Sequence, residues 1–327
     1  MNQSTSLPLV GRSLMVASLI LASANLSSAA QKFTVKMPAS VSSVAFSPTG
    51  QQLAVGCADS SARLVDLASG KETVELRAHE DRVACVAYSR DGTFLATGGY
   101  DKTARIWNTR LKHFGETLRG HRGAVLSIAF SPDGKLLATG SIDGAIKLWD
   151  VATGAPRATI KGHKSWVNSL AFSPDGQMLS SASSDGTIKV WRMPYGSVKY
   201  SIDVTGSEIR SIAISPDGNI LAAGIRYGTI KTWDFKTGRE VSSVKAHESD
   251  VWSLAFSPDS RTLISGDGDW NKAGQVKLWN PATMELRQTL ATSGEVLSVA
   301  YSADGNFMAA GCADGTVTAW PLQTKAP

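Results

Sequence analysis

The sequence predicts an all-β fold, a propeller of seven four-stranded antiparallel sheets, and three observations carry that prediction. The first is the stretch from Gly120 to Asp150, where VLSIAF, LLATG and AIKLW are separated by SPDG and IDG. Val, Ile and Leu at period two, bounded by Pro, Asp and Gly, read as short strands joined by tight turns. A fourth run, RATIKGH, spans Arg157 to His163 before the pattern restarts. The second observation is recurrence: the residue opening the first strand falls at Val41, Val83, Val125, Val167, Ile209, Val251 and Val296. Five of the six spacings are 42 residues and the last is 45, a period that marks a ring of small sheets rather than a sandwich. The third is composition: 43% of residues are hydrophobic, and nearly all fall on strand positions, which suits one globular body.

Taken from the start, residues 1–30 differ from everything after them. Arg12 is their only charge, Leu14 to Leu26 is an apolar run, and Ser28-Ala29-Ala30 follows. This pattern predicts a secretory signal peptide cut before Gln31, with residues 31–327 forming the propeller. The run is too short and too rich in Ser and Ala to span a bilayer comfortably. It has neither an Arg-Arg pair nor a Cys near the cut, so twin-arginine export and lipid attachment are not indicated. No Asn-x-Ser/Thr occurs after the cut, which favours a bacterial periplasmic or secreted protein over a eukaryotic one. The alternatives are an uncleaved anchor, or a disordered tail on a cytosolic scaffold. Intact mass separates these.

After the cut, Lys32 to Met37 (KFTVKM) alternates as a strand does, yet no complete repeat precedes it. Within each repeat the SPDG turn has a mechanism. Pro132 sets φ for the first corner, and Gly134 supplies the positive φ that closes the hairpin. The last repeat stops after its third strand, at Trp320.

The repeat resembles that of the WD-repeat β-propeller family over nearly all of the chain beyond residue 30. A Gly-His element stands at Gly120-His121 and Gly162-His163, with Ala78-His79 and Ala246-His247 as variants. Trp-Asp stands at Trp149-Asp150 and Trp233-Asp234; Trp107, Trp191, Trp279 and Trp320 keep the tryptophan with another residue after it. Six tryptophans in register are a specific signal. The resemblance implies that Phe33–Met37 is the outer strand of the seventh blade, closing the ring. An unclosed ring would expose strand edges and apolar faces.

The resemblance also implies a buried network of His, Asp, Ser or Thr, and Trp in each complete repeat. In the second it is His79, Asp101, Thr97 and Trp107; in the third, His121, Asp143, Thr139 and Trp149; in the fourth, His163, Asp185, Ser181 and Trp191. Such polar groups are tolerated inside a protein only when every partner is present. His247 is assigned to the same role in the sixth repeat. His113 is placed in a loop with no acidic or cysteine partner at ligand spacing. The first repeat has Val55 and Val65 at network positions, the fifth Thr205 and Tyr227, the seventh Thr292 and Ala310.

Chemistry has little footing. The chain shows no nucleophile elbow, HExxH, CxxC or phosphate-cradling glycine loop. The SPDG aspartates are better explained as turn formers than as acid/base pairs. Asp267-Gly268-Asp269-Trp270-Asn271 begins like a calcium loop, but Lys272 and Leu278 replace the glycine and glutamate such a loop needs. A longer polar turn is the simpler account, and neither metal nor cofactor is expected. Cys57, Cys85 and Cys312 cannot close a disulfide set. Cys85 takes the place of Ser127, Ser169, Ser211 and Ser253, while Cys57 and Cys312 sit just after second strands; small buried residues are the reading. Net charge is +5, without a Lys/Arg run, so nucleic-acid binding is not expected.

By the same resemblance, a partner docks on the face made by the Gly-His loops and the turns after second strands. Repeats two to four place Arg82, Arg122, Lys164 and Trp166 there, and repeats five to seven place Glu208, Glu248, Asp250 and Glu295. This predicts a face divided into a basic and an acidic arc, with Tyr100, Arg226, Tyr227 and Trp270 adding large groups. Trp252 is read as packing between blades. The function expected is a non-enzymatic exported scaffold, a monomer that binds a protein or peptide. The competing class is an exported propeller enzyme or small-ligand binder using the central channel.

Overall fold

The computed structural model describes residues 32–322 apart from 111–112, 205 and 270–271. The predicted signal peptide therefore lies outside the described residues, as do Thr205, Trp270 and Asn271. Among the described residues, 28 strands form seven four-stranded sheets, with one short 3-10 turn at Arg226–Gly228.

Blade 3 shows how the sequence builds each sheet. Its strands are Val125–Phe130, Leu136–Ser141, Ala145–Asp150 and Pro156–Lys161, all antiparallel neighbours in that order. The first turn is held by its own side chains. Ser131 Oγ donates to Asp133 Oδ1 at 2.6 Å and accepts from the Leu136 N–H at 2.9 Å, while Gly134 takes φ +70°. The second strand is buried at five of six positions, because both its faces meet neighbouring blades. Its residues are accordingly apolar or small rather than alternating apolar and charged. Gly140 marks the tightest approach: a Cβ there would stand 2.7 Å from Cγ1 of Val167, the residue that opens the next blade. The outer strand, Pro156–Lys161, is largely exposed and carries the charges.

The ring is closed by the chain's first strand. Phe33–Lys36 pairs antiparallel with Thr316–Pro321, matching Phe33 to Ala319 and Val35 to Val317. This seventh sheet runs from Phe33–Lys36 through Thr316–Pro321 and Phe307–Cys312 to Val296–Tyr301. Met37, 3% exposed, follows the strand into a core shared by blades 7 and 1 with Val41, Val317 and Ala319, and Phe33 and Val35 pack onto it.

Adjacent blades are also linked near the axis by a serine on six of the seven first strands. The hydroxyl of Ser43 accepts from the Val86 N–H at 3.1 Å, Ser127 from Leu170 at 3.0 Å, and Ser169 from Ile212 at 3.1 Å. Ser211, Ser253 and Ser298 bind Leu254, Val299 and Val44 in the same way. Cys85 is the exception, its thiol facing the Val125 carbonyl at 3.8 Å. Burial holds the thiol well above its ordinary pKa, so it stays protonated. Ser211→Ala should cost about 1–3 kcal/mol, because it strands a buried N–H. Cys85→Ser should be neutral or gain up to about 1 kcal/mol by supplying the missing acceptor to Ile128. Urea unfolding of both variants checks this; equal destabilisation by the two would contradict the assignment.

Two placements differ from the sequence reading. Cys57 and Cys312 are the last residues of second strands, not the residues after them. His113 opens the outer strand His113–Arg119 and pairs with Asn108 rather than lying in a loop.

Candidate functional site

The repeated polar residues come first, because they imitate a catalytic arrangement. In the fourth repeat His163 Nδ1 donates to Asp185 Oδ2 at 3.0 Å, and the Ser181 hydroxyl donates to His163 Nε2 at 2.7 Å. Nucleophile, base and orienting carboxylate are thus in the order that hydrolases use. Trp191 Nε1, however, donates to the same Ser181 oxygen at 2.8 Å, and Ser181 is fully buried. The oxygen a substrate would need is occupied and walled off. The same chain, from Trp through hydroxyl and imidazole to carboxylate, runs through Trp107, Thr97, His79 and Asp101, and through Trp149, Thr139, His121 and Asp143. Its chemistry is structural: one hydroxyl satisfies two buried rings.

Its protonation follows from geometry. Burial pushes His79, His121 and His163 below the ordinary histidine pKa, despite the adjoining carboxylates. Burial also opposes ionisation of Asp185, but the Thr187 hydroxyl, the Lys164 N–H and His163 outweigh it and hold the carboxyl at about 2. Both shifts are downward on folding, so the unfolded chain binds more protons and acid destabilises. The histidine contribution is complete above the unfolded value of 6.5 and declines below it. The carboxylate contribution is complete above 3.8 and is lost as pH falls towards the folded value. Glu295, raised by burial with help from Asp269 and Asp250, works the other way above its ordinary 4.5. The melting temperature should be level between about pH 7 and 8 and fall steadily from pH 6.5 to 4. A rise over that range in calorimetry would contradict the assignment.

Other repeats satisfy the same space differently. In blade 1 the side chain of Arg63 is 3% exposed and lies within salt-bridge distance of Asp59, Glu72 and Glu75. In the sixth repeat Asp267 is not a cation-loop residue. It lies 3.1 Å from His247 Nδ1 and accepts from the Gln275 N–H at 2.7 Å, while Ser265 joins His247 and Trp279.

The open site is at the mouth of the channel. In all seven blades the first strand carries a bulge just after its opening Val or Ile, at Ser42, Ala84, Leu126, Asn168, Arg210, Trp252 and Leu297. A bulge re-aims the extra side chain, and all seven line one cavity of about 600 Å³. Arg82, Tyr100, Trp166 and Glu295 join them from the surrounding loops. Of the residues assigned to the face from sequence, these four meet at the mouth. Arg122, Lys164 and Glu248 are exposed away from the cavity lining, and Trp270 lies outside the described residues.

The divided face needs correction, because the acidic arc carries its own cations. Arg210 lies 2.8 Å from Glu208 and 3.1 Å from Asp250, and Arg226 lies 2.9 Å from Glu208. Asp250 also accepts from the Tyr227 N–H at 2.8 Å. Arg210 was missed, and so was the position of Trp252, which lines the cavity under the Arg210 guanidinium at 4.7 Å. Arg82 stacks likewise over Tyr100 at 5.1 Å, and Arg226 over Tyr227 at 4.9 Å. Trp166 is 45% exposed, Tyr100 36% and Tyr227 61%.

A family model described as WD domain, G-beta repeat matches residues 31–66, 70–108 and 284–320, and one described as IFT122 first beta-propeller matches residues 111–273. The chain belongs to the WD-repeat β-propeller family. A search of curated proteins found no match. WD-repeat propellers usually bind protein partners, and this fold is consistent with an interaction scaffold. Among the described residues, no helix is long and apolar enough to cross a membrane.

Proposed function

We propose that this WD-repeat propeller is an exported, non-enzymatic scaffold, acting as a monomer, that binds a protein or peptide at the channel mouth. The observation that supports it best is the cluster of Arg82, Tyr100 and Trp166 at one open cavity on a rigid ring. Exposed Arg, Tyr and Trp are the residue types that most often dominate interfaces. Fold alone names no partner. Export rests on residues 1–30, whose removal would leave the closing strand at Phe33 intact. The cavity volume also suits a small ligand, and that reading shares the same residues.

Affinity purification from the extracytoplasmic fraction tests the proposal. Arg82→Glu combined with Trp166→Ala should abolish capture of the specific partner while leaving the melting temperature unchanged. If every co-purifying protein is retained, the mouth is not the site. Intact mass should show residues 1–30 gone; a full-length mass would overturn export with cleavage but not the site.

A further inference from the structure

Arg82, Arg210 and Arg226, each beside an aromatic ring, differ in what completes their charge. Arg210 has Glu208 and Asp250, and Arg226 has Glu208. Arg82 is exposed and makes no ion pair among the described residues. The Arg82 guanidinium lies 5.1 Å from the centre of the Tyr100 ring and makes no hydrogen bond among the described residues, so its N–H fork is open to a ligand. Two blades along, Trp166 presents its ring to the same cavity, with Leu126 contributed by the blade between. One arc of the mouth is therefore self-satisfied, and the other lacks a carboxylate and an apolar cover.

We infer that the mouth takes an acidic peptide segment, in which an Asp or Glu carboxylate meets Arg82 and an adjoining large apolar side chain lies on Trp166 and Leu126. A carboxylate matches the guanidinium fork with two parallel hydrogen bonds, which a neutral amide or a cation cannot do. Arg122 and Lys164, exposed on the same arc and without ion pairs among the described residues, raise the encounter rate with an acidic segment. A basic segment would instead meet the unpaired Arg82 in the cavity, where Glu295 is the one carboxylate lining it among the described residues. The inference rests on the mouth being the partner site.

The test is an array of random heptapeptides, N-acetylated and C-amidated so that only side chains carry charge, probed with the fluorescently labelled protein. Retained peptides should carry Asp or Glu beside Leu, Phe or another large apolar residue. Their binding should fall about tenfold or more, or 1.4 kcal/mol, for Arg82→Gln and for Trp166→Ala. Arg82→Lys should fall between, and Arg82→Glu should select Lys or Arg peptides instead. Circular dichroism melts establish that these exposed substitutions leave the fold intact. Neutral or basic peptides retained in an Arg82- and Trp166-dependent manner would overturn the acidic class and leave the mouth as the site. Binding indifferent to both residues would overturn the two readings together. An array that retains nothing would overturn the peptide inference, while co-purification with the double variant still decides the site.

Discussion

A chain that begins at Pro38 should fail to form a soluble, cooperatively melting ring. It would lack Phe33 and Val35, which pack on the core shared by blades 7 and 1, and Met37, which is buried within it. Burying a large apolar side chain is worth about 1.5–3 kcal/mol when complete, and two of these three are only half-buried. Their loss amounts to roughly 3–6 kcal/mol, comparable with the whole stability of many domains. It would also leave the backbone of Thr316–Pro321 unpaired along one side, an edge that recruits other chains. Size-exclusion chromatography and thermal melting read the outcome. Aggregation or a strongly lowered transition is expected; a monomer melting like the intact chain would mean that closure is dispensable. Val35→Asp, which keeps the strand's backbone, should show a smaller loss in the same direction.

Trp149→Ala should cost about 3–5 kcal/mol, the range for deleting a large buried aromatic. The ring is 2% exposed and packs among residues of blades 2 and 3, including Ile106, Leu118 and Val125. Trp149→Phe separates two contributions, because it keeps most of the packing and removes the Nε1 donor to Thr139. Its expected cost is about 1–3 kcal/mol, since the hydroxyl that Trp149 and His121 share then lacks one partner. Guanidinium unfolding should rank alanine well below phenylalanine. Near-equal values would mean that the hydrogen bond, not the packing, holds the blade.

The ring was legible because its cause is local and repeated. Each opening Val or Ile is followed by a strand, a turn with its own side-chain bonds and a second strand, so a spacing of 42 residues, lengthened to 45 before the last, finds every blade. The His-Asp-hydroxyl-Trp positions were legible for the same reason. The mouth was not. Arg210 and Trp252 stand at bulges, where strict alternation no longer says which way a side chain points. The pairing of Arg210 with Asp250 joins residues 40 apart, and nothing local to either predicts it. The serine column was visible, but its partner N–H lies 43 residues further on, so only closed geometry shows why Cys85 differs. In the sixth repeat the enlarged turn lets Asp267, two residues after Ser265, meet His247 where other repeats use the residue four after the hydroxyl.

The claim that recognition happens at the channel mouth is tested most directly by site-specific photo-crosslinking. A benzophenone amino acid replaces Tyr100, which lines the cavity, or Val241, which is 57% exposed on an outer strand. Irradiation in the native compartment should give one discrete adduct from position 100 and none from position 241. Adducts of equal yield from both positions, or from 241 alone, would contradict the account.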